Sequence, residues 1–472
     1  MQFWKKYSYE VAFGLFLIAF IGFKIKDIPV PYFWDELGVY VPGALRMKDA
    51  GTIGLMPACL EPLYSRGHPL LFLFFQASVF QIFGDGVVQG HSFSLLLAVL
   101  TLVVFYIFGR DVFGKRIALF ASILLAVQPV YYSMSGLILP EMMLTLFTIP
   151  AIWALIRMRW LMYGIFASLA LLTKESALVI PPLAMFIVFL DGFRQKSIFS
   201  RTNNRRYMLA AIPLLVYCVF LVIQKLQNGW FFFPEHIGYI SVGEGIFDRI
   251  WEIVRDVLLQ QGRWLLGAFF LALIVLSKYL TGSSEKHLRT IVVCSFFVLS
   301  AVLFATFNFY LFRYMLYVIP FVVLLGTFGL FAIVNKLSRS WTVLMASVPL
   351  ILAFVFALKH MYQREEFHDT SDMSYVHVVE LKQEAIAWLE HQPWRDSVIE
   401  ANFPLFQAMS ESRYGYLSGN EFRIANTSNT APRYGAFFHL DPNEPIFWNT
   451  KELNLVKRFS NNISNITIVE FK

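Results

Sequence analysis

The stretch VVQGHSFSLLLAVLTLVVFYIFG, residues 87–109, decides the class of fold, because it contains no Asp, Glu, Lys or Arg. As a helix rising about 1.5 Å per residue it would cover about 34 Å, enough to cross a hydrocarbon layer of roughly 30 Å. The whole chain has the same character, since 57% of its 472 residues are hydrophobic and only 15% are charged. These proportions exclude a soluble globular enzyme, a disordered chain and a disulfide scaffold. We therefore expect an integral membrane protein.

Apolar runs of similar length predict a polytopic α-helical membrane protein with about 11 transmembrane helices plus juxtamembrane helices. The predicted spans are 8–26, 87–109, 116–133, 142–157, 160–173, 177–191, 207–226, 263–280, 289–307, 314–334 and 341–358. A further run, Pro69 to Phe83, is interrupted by Gln76 and Gln81, so we expect a juxtamembrane or re-entrant helix there. Together these runs define a transmembrane domain, residues 1–358, with an unusually long first outer loop, residues 27–86.

The distribution of charge predicts the orientation. With the N-terminus inside, the loops assigned to the cytoplasm carry 17 basic residues, and the acidic residues in or beside them are Asp111, Asp191 and Glu285. This bias agrees with the positive-inside rule, so the net charge of +7 indicates membrane orientation and not a nucleic-acid partner. An odd number of spans places residues 359–472 outside, which in a bacterium is the periplasmic side of the inner (plasma) membrane.

Residues 359–472 are predicted to form a small soluble α/β domain. The helix expected from Ser374 to His391 has an apolar face made of Val378, Leu381, Ala385 and Leu389. Lys382 lies mostly away from that face. Residues 398–401 and 466–471 are predicted strands, and the Gly-, Asn- and Pro-rich stretch 415–445 is predicted to be mostly loop.

Charged side chains recur in the outer segments of the membrane domain. They are Asp35, Glu36, Arg66 and His68 in the first outer loop, Glu141 in the second, Lys174 and Glu175 in the third, and Arg313 with Tyr314 in the fifth. Each has a simpler explanation, since Asp-Glu is common at helix starts and long basic side chains snorkel to the membrane surface. All of them lie at one level on one side in this topology, which favours a shared site for an amphiphile with an anionic head.

Such a site suits a sugar joined through its anomeric carbon to a polyprenyl phosphate, because the departing phosphate is already a stable anion. A carboxylate base takes the proton of an acceptor hydroxyl, and cations hold the phosphate as its charge grows. Arg contacts phosphate in a bidentate manner and Lys as a point charge. Asp35 is the candidate base, and Arg66, Lys174 and Arg313 are the candidate phosphate clamps.

The chain resembles the integral-membrane glycosyltransferases of the GT-C type, in the branch of the protein O-mannosyltransferases and the bacterial aminoarabinose lipid A transferases. The first outer loop carries the most specific part, namely Trp34-Asp35-Glu36, Tyr40, the run Gly67 to Leu70, and Ile82-Phe83-Gly84. Thr173-Lys174-Glu175 and Arg313-Tyr314 are similar to later segments of that family. Relatives often have two prolines after the first-loop histidine, whereas this chain has Pro69-Leu70.

The resemblance implies that Asp35 is the catalytic residue and that Glu141 is a second acidic residue of the catalytic site. The expected substrate-binding residues are Glu36, Arg66, His68, Lys174, Glu175, Arg313 and Tyr314. No cofactor is certain, but some relatives bind a divalent metal ion through outer-loop residues, and His68 and Glu36 are conceivable ligands by that analogy. A lone His is more often a hydrogen-bonded structural residue.

The expected partners are the polyprenyl-phosphate sugar donor, membrane lipids and an acceptor, which is lipid A, another envelope glycan or a protein. The alternative function is a membrane transporter or flippase, for which intramembrane charges and broken helices are also typical. A third interpretation is a degenerate relative whose outer domain acts as a scaffold. Charges that cluster at one surface, and the lack of visible paired half-repeats, favour the transferase.

Overall fold

The structure is a computed structural model that describes residues 2–238, 245–282, 284–337, 341–362, 367, 369–425, 431–444 and 453–472. Within these residues, seven helices are long and apolar enough to cross a membrane: Tyr7–Asp27, Val87–Phe113, Glu175–Arg194, Arg201–Asn228, Glu285–Thr306, Ile319–Leu337 and Leu344–Met361. Four shorter apolar helices accompany them: Leu71–Phe83, Pro140–Ile156, Trp160–Thr173 and Trp264–Val275. The predicted polytopic helical class is confirmed.

Two of the predicted spans are divided in the structure. The run 116–133 forms the helices Lys115–Ala126 and Pro129–Met134, and the run 263–280 forms Trp264–Val275 and Ser277–Thr281. The first break has a local cause, because a proline disfavours helical geometry in the residue before it, and Gln128 is extended with φ −61° and ψ 127°.

The first outer loop is built largely of short helices. A π-helical turn, Glu36–Tyr40, leads directly into the helix Val41–Asp49, and the short helix Pro62–Ser65 precedes Leu71–Phe83. Such π-helical turns occur frequently at functional sites. This turn starts immediately after Asp35, so it determines where that carboxylate lies. The remaining short elements of the outer segments are Ile25–Asp27, Pro57–Cys59, Glu175–Val179, Pro234–Ile237, Ile246–Leu258 and Phe312–Met315.

The C-terminal part is a small α/β unit. The helix Tyr375–Glu390 and the short helix Leu405–Ser410 accompany a sheet of strands β1 (Ile399–Ala401), β2 (Tyr434–His439), β3 (Leu453–Ser460) and β4 (Asn465–Phe471). The strand order is β1-β2-β4-β3, with β1 parallel to β2 and the other pairs antiparallel. The predicted helix and both predicted strands are confirmed.

The structure adds two features to this unit. The stretch 415–445, predicted to be mostly loop, also contains strand β2, whose residues pair with β4 along their whole length. Lys382 is also fully buried, although it was expected to lie away from the apolar face. Its helix is covered on a second side by Phe33 of the first outer loop and Phe438 of β2, whose ring centroids lie 4.8 and 5.0 Å from the Lys382 Nζ.

The C-terminal unit packs directly against the first outer loop. The Tyr416 hydroxyl donates a hydrogen bond to the Tyr32 carbonyl at 2.9 Å, and the Arg413 guanidinium forms ion pairs with Asp49 at 3.1 Å and Asp85 at 3.2 Å. The ring of Trp34 packs edge to face with Phe403 at 5.2 Å between centroids. These contacts place the C-terminal unit beside the Trp34–Asp35 turn.

Candidate active site

The centre of the site is the contact between Asp35 and Arg313. Asp35 lies at the start of the π-helical turn, after Trp34 in a left-handed conformation with φ 42°, and its side chain is 30% exposed. Arg313 comes from the turn Phe312–Met315, is almost completely buried, and donates from Nη2 to Asp35 Oδ2. Burial opposes the charge of Arg313, but the carboxylates of Asp35 and Asp369 raise its pKa well above the usual value. The guanidinium is therefore held as a cation in a largely dry position.

A second ion pair lies next to the first. Lys174 Nζ donates to Glu141 Oε1 at 2.5 Å, and both side chains are nearly buried. The same ammonium group lies 3.7 Å from the ring centroid of Tyr314, which adjoins Arg313. Glu141 Oε2 is buried and has no hydrogen-bond partner in the described part of the chain. Asp35, Arg313, Tyr314, Lys174 and Glu141 thus form one continuous set of contacts, drawn from four outer segments.

The residues of the Gly67–His68 region form a third group. His68 Nδ1 lies 2.9 Å from Glu175 Oε2, and its ring centroid lies 4.9 Å from that of His236 in the fourth outer segment. Burial, together with the charge of His68, lowers the pKa of His236 to about 4, so His236 is neutral near pH 7. Arg66 is half-buried and forms no ion pair with any residue in the described ranges.

The segment that carries His236 covers the turn at Gly67. Gly67 has φ 72°, and a Cβ atom there would lie 2.9 Å from the Trp230 ring and 3.0 Å from Phe233 Cβ. The aromatic run of the fourth outer segment therefore packs against the backbone beside His68, and only glycine leaves room for it.

A small cavity of about 10 Å³, roughly the size of one water molecule, lies beside His68 and Lys174. Its polar lining comes from Tyr40, Tyr64, Ser65, His68, Thr173 and Lys174, and its apolar lining includes Phe72, Leu73 and Pro140. Burial raises the pKa of Tyr40 well above its usual value, and the carboxylates of Glu141 and Asp35 raise it further. The cavity has a mixed polar and apolar lining, as small-ligand sites do, but in this conformation its volume is too small for a sugar.

Glu36 has a different environment from its neighbour Asp35. It is completely buried, Oε2 accepts from the Phe33 amide at 2.8 Å, and Oε1 accepts from the Ile138 amide at 2.6 Å. His91 Nε2 lies 3.0 Å from the same Oε1. The protein's own groups therefore occupy both oxygens, and this geometry favours a structural role for Glu36 over the predicted contact with substrate.

The described residues show no arrangement that fits a bound metal ion. The described part of the chain contains no group of three or more His, Cys, Asp or Glu side chains that could hold one. The two conceivable ligands lie in separate contacts, His68 with Glu175 and Glu36 with His91. We therefore derive no step through a metal.

Two residues of the site were not predicted from the sequence. Thr370 Oγ1 accepts a hydrogen bond from Arg313 Nη1 at 2.9 Å, and Asp369 Oδ2 lies 3.5 Å from the same nitrogen. Burial raises the pKa of Asp369, and the charge of Arg313 opposes this effect. Both residues lie between the last predicted span and the C-terminal helix, where no motif singles them out.

Similarity to known proteins agrees with this architecture. The profile of the family described as dolichyl-phosphate-mannose-protein mannosyltransferase matches residues 67–223. No sequence among the curated proteins matches the chain.

Solved structures match over nearly the whole length. The structure of ArnT from Cupriavidus metallidurans in the apo state matches with a TM-score of 0.59 at 12% identity, over 96% of this chain and 97% of that one. The same protein bound to undecaprenyl phosphate matches with a TM-score of 0.58 at 13% identity, over 98% of both chains. The Archaeoglobus fulgidus oligosaccharyltransferase, tethered with an acceptor peptide, matches at 0.50 and 14% identity, over 88% of this chain and 63% of that one.

At these identities the structural matches establish the fold, and the family profile covers the part of the chain that contains His68, Glu141 and Lys174. The predicted resemblance is confirmed: the chain has the GT-C fold and is similar to the GT-C type integral-membrane glycosyltransferases.

Proposed function

We propose that this protein is a glycosyltransferase that moves a sugar from a polyprenyl-phosphate-linked donor to an acceptor hydroxyl. The observation that carries the proposal is the two adjoining ion pairs, Asp35 with Arg313 and Glu141 with Lys174. The matching family is described by a lipid-phosphate sugar donor, and one matching structure holds undecaprenyl phosphate, which supports this donor class.

Asp35 acts as the general base in this proposal. The acceptor oxygen forms a bond to the anomeric carbon, the bond from that carbon to the phosphate oxygen breaks, and the acceptor proton passes to Asp35. The polyprenyl phosphate leaves with the electron pair of the broken bond. The partial exposure of Asp35, in contrast to the complete burial of Glu36, supports the choice of base.

Arg313 and Lys174 stabilise the phosphate as its charge grows. Both cations lie in positions with little water, where a charge-assisted hydrogen bond is stronger than in solution. Arg66, which has no ion pair among the described residues, is the third cation near the cavity. Glu141 orients Lys174, and its unpartnered Oε2 accepts a hydroxyl of the substrate.

The reaction takes place, in this proposal, on the outer face of a bacterial inner membrane, with the C-terminal unit in the periplasm. The acceptor is lipid A, another envelope glycan or a protein. The candidate spans support a multi-pass membrane protein, and the charge bias of the loops supports this orientation.

The test is the substitution Asp35→Asn in a host strain whose own copy of the gene is deleted. We expect wild-type protein to restore a sugar-bearing glycolipid or glycoprotein, detected by mass spectrometry of the envelope, and Asp35→Asn to reduce the product at least about 100-fold, since general bases contribute roughly 10²–10⁴ in rate. Asp396→Asn, at a carboxylate that is 89% exposed, is the matched control and should restore full product. Full product from Asp35→Asn, or lipid movement without any acceptor, would overturn the proposal.

A further inference from the structure

The two sides of the Arg313 guanidinium have different partners. Nη1 donates to Thr370 Oγ1 at 2.9 Å and lies 3.5 Å from Asp369 Oδ2, whereas Nη2 donates to Asp35. Nε is buried and has no hydrogen-bond partner among the residues that the structure describes. One side of the group is therefore held by residues 369 and 370, and the other side has one occupied and one free donor.

The side with the free Nε is suited to binding an anion. In a guanidinium, the Nε–H and one Nη2–H point the same way along one edge, and this pair forms the parallel, bidentate contact with a carboxylate or phosphate. A phosphate that approaches this edge finds Nε available but must displace Asp35 from Nη2. The displacement leaves Asp35 without its ion-pair partner and available as a base.

The segment that holds the opposite side is fixed at several points. The Ser133 hydroxyl donates to the Thr370 carbonyl at 2.6 Å, and the Gln261 side-chain amide donates to the Ser371 carbonyl at 3.0 Å. The Thr370 hydroxyl also donates to Asp369 Oδ2 at 3.1 Å. Asp369 itself has φ 53°, a left-handed conformation that is uncommon for residues with a side chain. Contacts from the membrane helices thus hold this conformation in place.

We propose that Asp369, together with Thr370, is a positioning residue that holds Arg313 so that its Nε–Nη2 edge exchanges Asp35 for the phosphate of the lipid donor. This inference rests on the proposed function and deepens it. Asp369 does not touch the substrate, and it acts through the guanidinium. It also shares the positive charge of Arg313 with Asp35, which weakens the ion pair that the phosphate has to displace. Among the described residues, the charged groups that face Asp369 are Arg313 and Asp35.

The test measures the binding of undecaprenyl phosphate alone to the full-length protein in nanodiscs. We expect Asp369→Asn to weaken binding about tenfold, because it removes the negative charge that lies 3.5 Å from Arg313 Nη1 and holds this side of the guanidinium. Arg313→Lys should weaken it more, because an ammonium group lacks the two-donor edge. The double variant should bind no worse than Arg313→Lys, because a lysine has no Nη1 for Asp369 to hold. Asp396→Asn is the control and should bind as the wild type does.

Thr370→Val is the second variant, for the case that Asp369→Asn fails to fold. It removes the hydroxyl that accepts from Nη1 and keeps the carboxylate, so we expect about threefold weaker binding, again absent in the Arg313→Lys background. The inference would be overturned if Asp369→Asn or Thr370→Val weakened undecaprenyl phosphate binding further in the Arg313→Lys background. Unchanged binding in both single variants would also overturn it.

The two proposals fail in distinguishable ways. If undecaprenyl phosphate binds equally well to Arg313→Lys and wild type, the phosphate clamp is wrong and both proposals lose their common step. If Arg313→Lys weakens binding but residues 369 and 370 do not act through it, only the positioning role is lost. The transfer assay on Asp35→Asn reports on the reaction independently of either result.

Discussion

At the scale of single residues, the adjacent carboxylates of Asp35 and Glu36 perform different tasks. The π-helical turn directs Asp35 towards Arg313 at a partly exposed position, and it directs Glu36 into the protein against two backbone amides and His91. The sequence motif does not distinguish the two residues, because the geometry of the turn determines which side chain is exposed and which is buried. Glu36 therefore contributes by keeping the turn in place.

Glu36→Ala is expected to lower the stability of the protein. Each buried amide that loses its acceptor costs about 1–3 kcal/mol, and two amides lose theirs. Thermal unfolding of the full-length protein in detergent measures the change. Glu61→Ala, at an exposed carboxylate of the same loop, is the control and should unfold as the wild type does. If Glu36→Ala unfolds as the wild type does but binds substrate more weakly, Glu36 contacts the substrate, as the sequence predicted, and its role is not structural.

At the scale of the element, the helix Tyr375–Glu390 contains a buried lysine, Lys382, between Phe33 and Phe438. Its Nζ lies against both aromatic rings and has no hydrogen-bond partner among the described residues. Burial lowers its pKa to about 7, against roughly 10.4 in an unfolded chain. The pattern of the helix could not predict the burial of Lys382, because the residues that cover it come from strand β2 and from the first outer loop.

The effect on stability has a definite sign. Between about pH 7 and pH 10 the unfolded chain binds more protons at Lys382 than the folded chain does, so the contribution of this residue to stability rises with pH across that window. Lys382→Met should therefore raise the unfolding temperature most at pH 7 or below, and the difference from wild type should shrink towards pH 10. Thermal unfolding of the full chain at a series of pH values measures this, with Lys457→Met, on strand β3, as the control. A constant difference across the series would contradict the prediction.

At the scale of the whole molecule, the C-terminal unit helps to shape the candidate active site. It contributes Asp369 and Thr370 to the surroundings of Arg313, packs Phe403 on Trp34, and binds the first outer loop through Arg413. The outer loop is thus held between the membrane helices on one side and the soluble unit on the other. A change in how this unit docks should be transmitted to Asp35.

Arg413→Ala tests that coupling. The substitution removes ion pairs with Asp49 and Asp85, and partly exposed pairs of this kind contribute up to about 1 kcal/mol each. We expect faster amide hydrogen exchange at Tyr32, whose amide donates to the Tyr414 carbonyl. Arg433→Ala, which removes a pair with Glu470 inside the C-terminal unit, is the control and should leave this exchange rate unchanged. Equal rates in Arg413→Ala and wild type would show that the apolar contacts suffice for docking.

The sequence alone determined the features that depend on neighbours along the chain. Apolar length predicts the membrane helices, loop charge predicts their orientation, and the motifs at Asp35, Lys174 and Arg313 predict the chemistry of the outer surface. Local patterns also predict the helix Tyr375–Glu390 and strands β1 and β4. Each of these follows from short-range periodicity or composition, which a single chain displays directly.

Only the tertiary structure decided which groups meet. The pairing of Asp35 with Arg313 joins residues 278 positions apart, and the support of that arginine by Asp369 and Thr370 brings in a third distant segment. The burial of Glu36 and Lys382 likewise depends on residues from other elements. The physical reason is that ion pairing and desolvation depend on distances in space. The packing of the helices sets these distances, and the local sequence does not encode them.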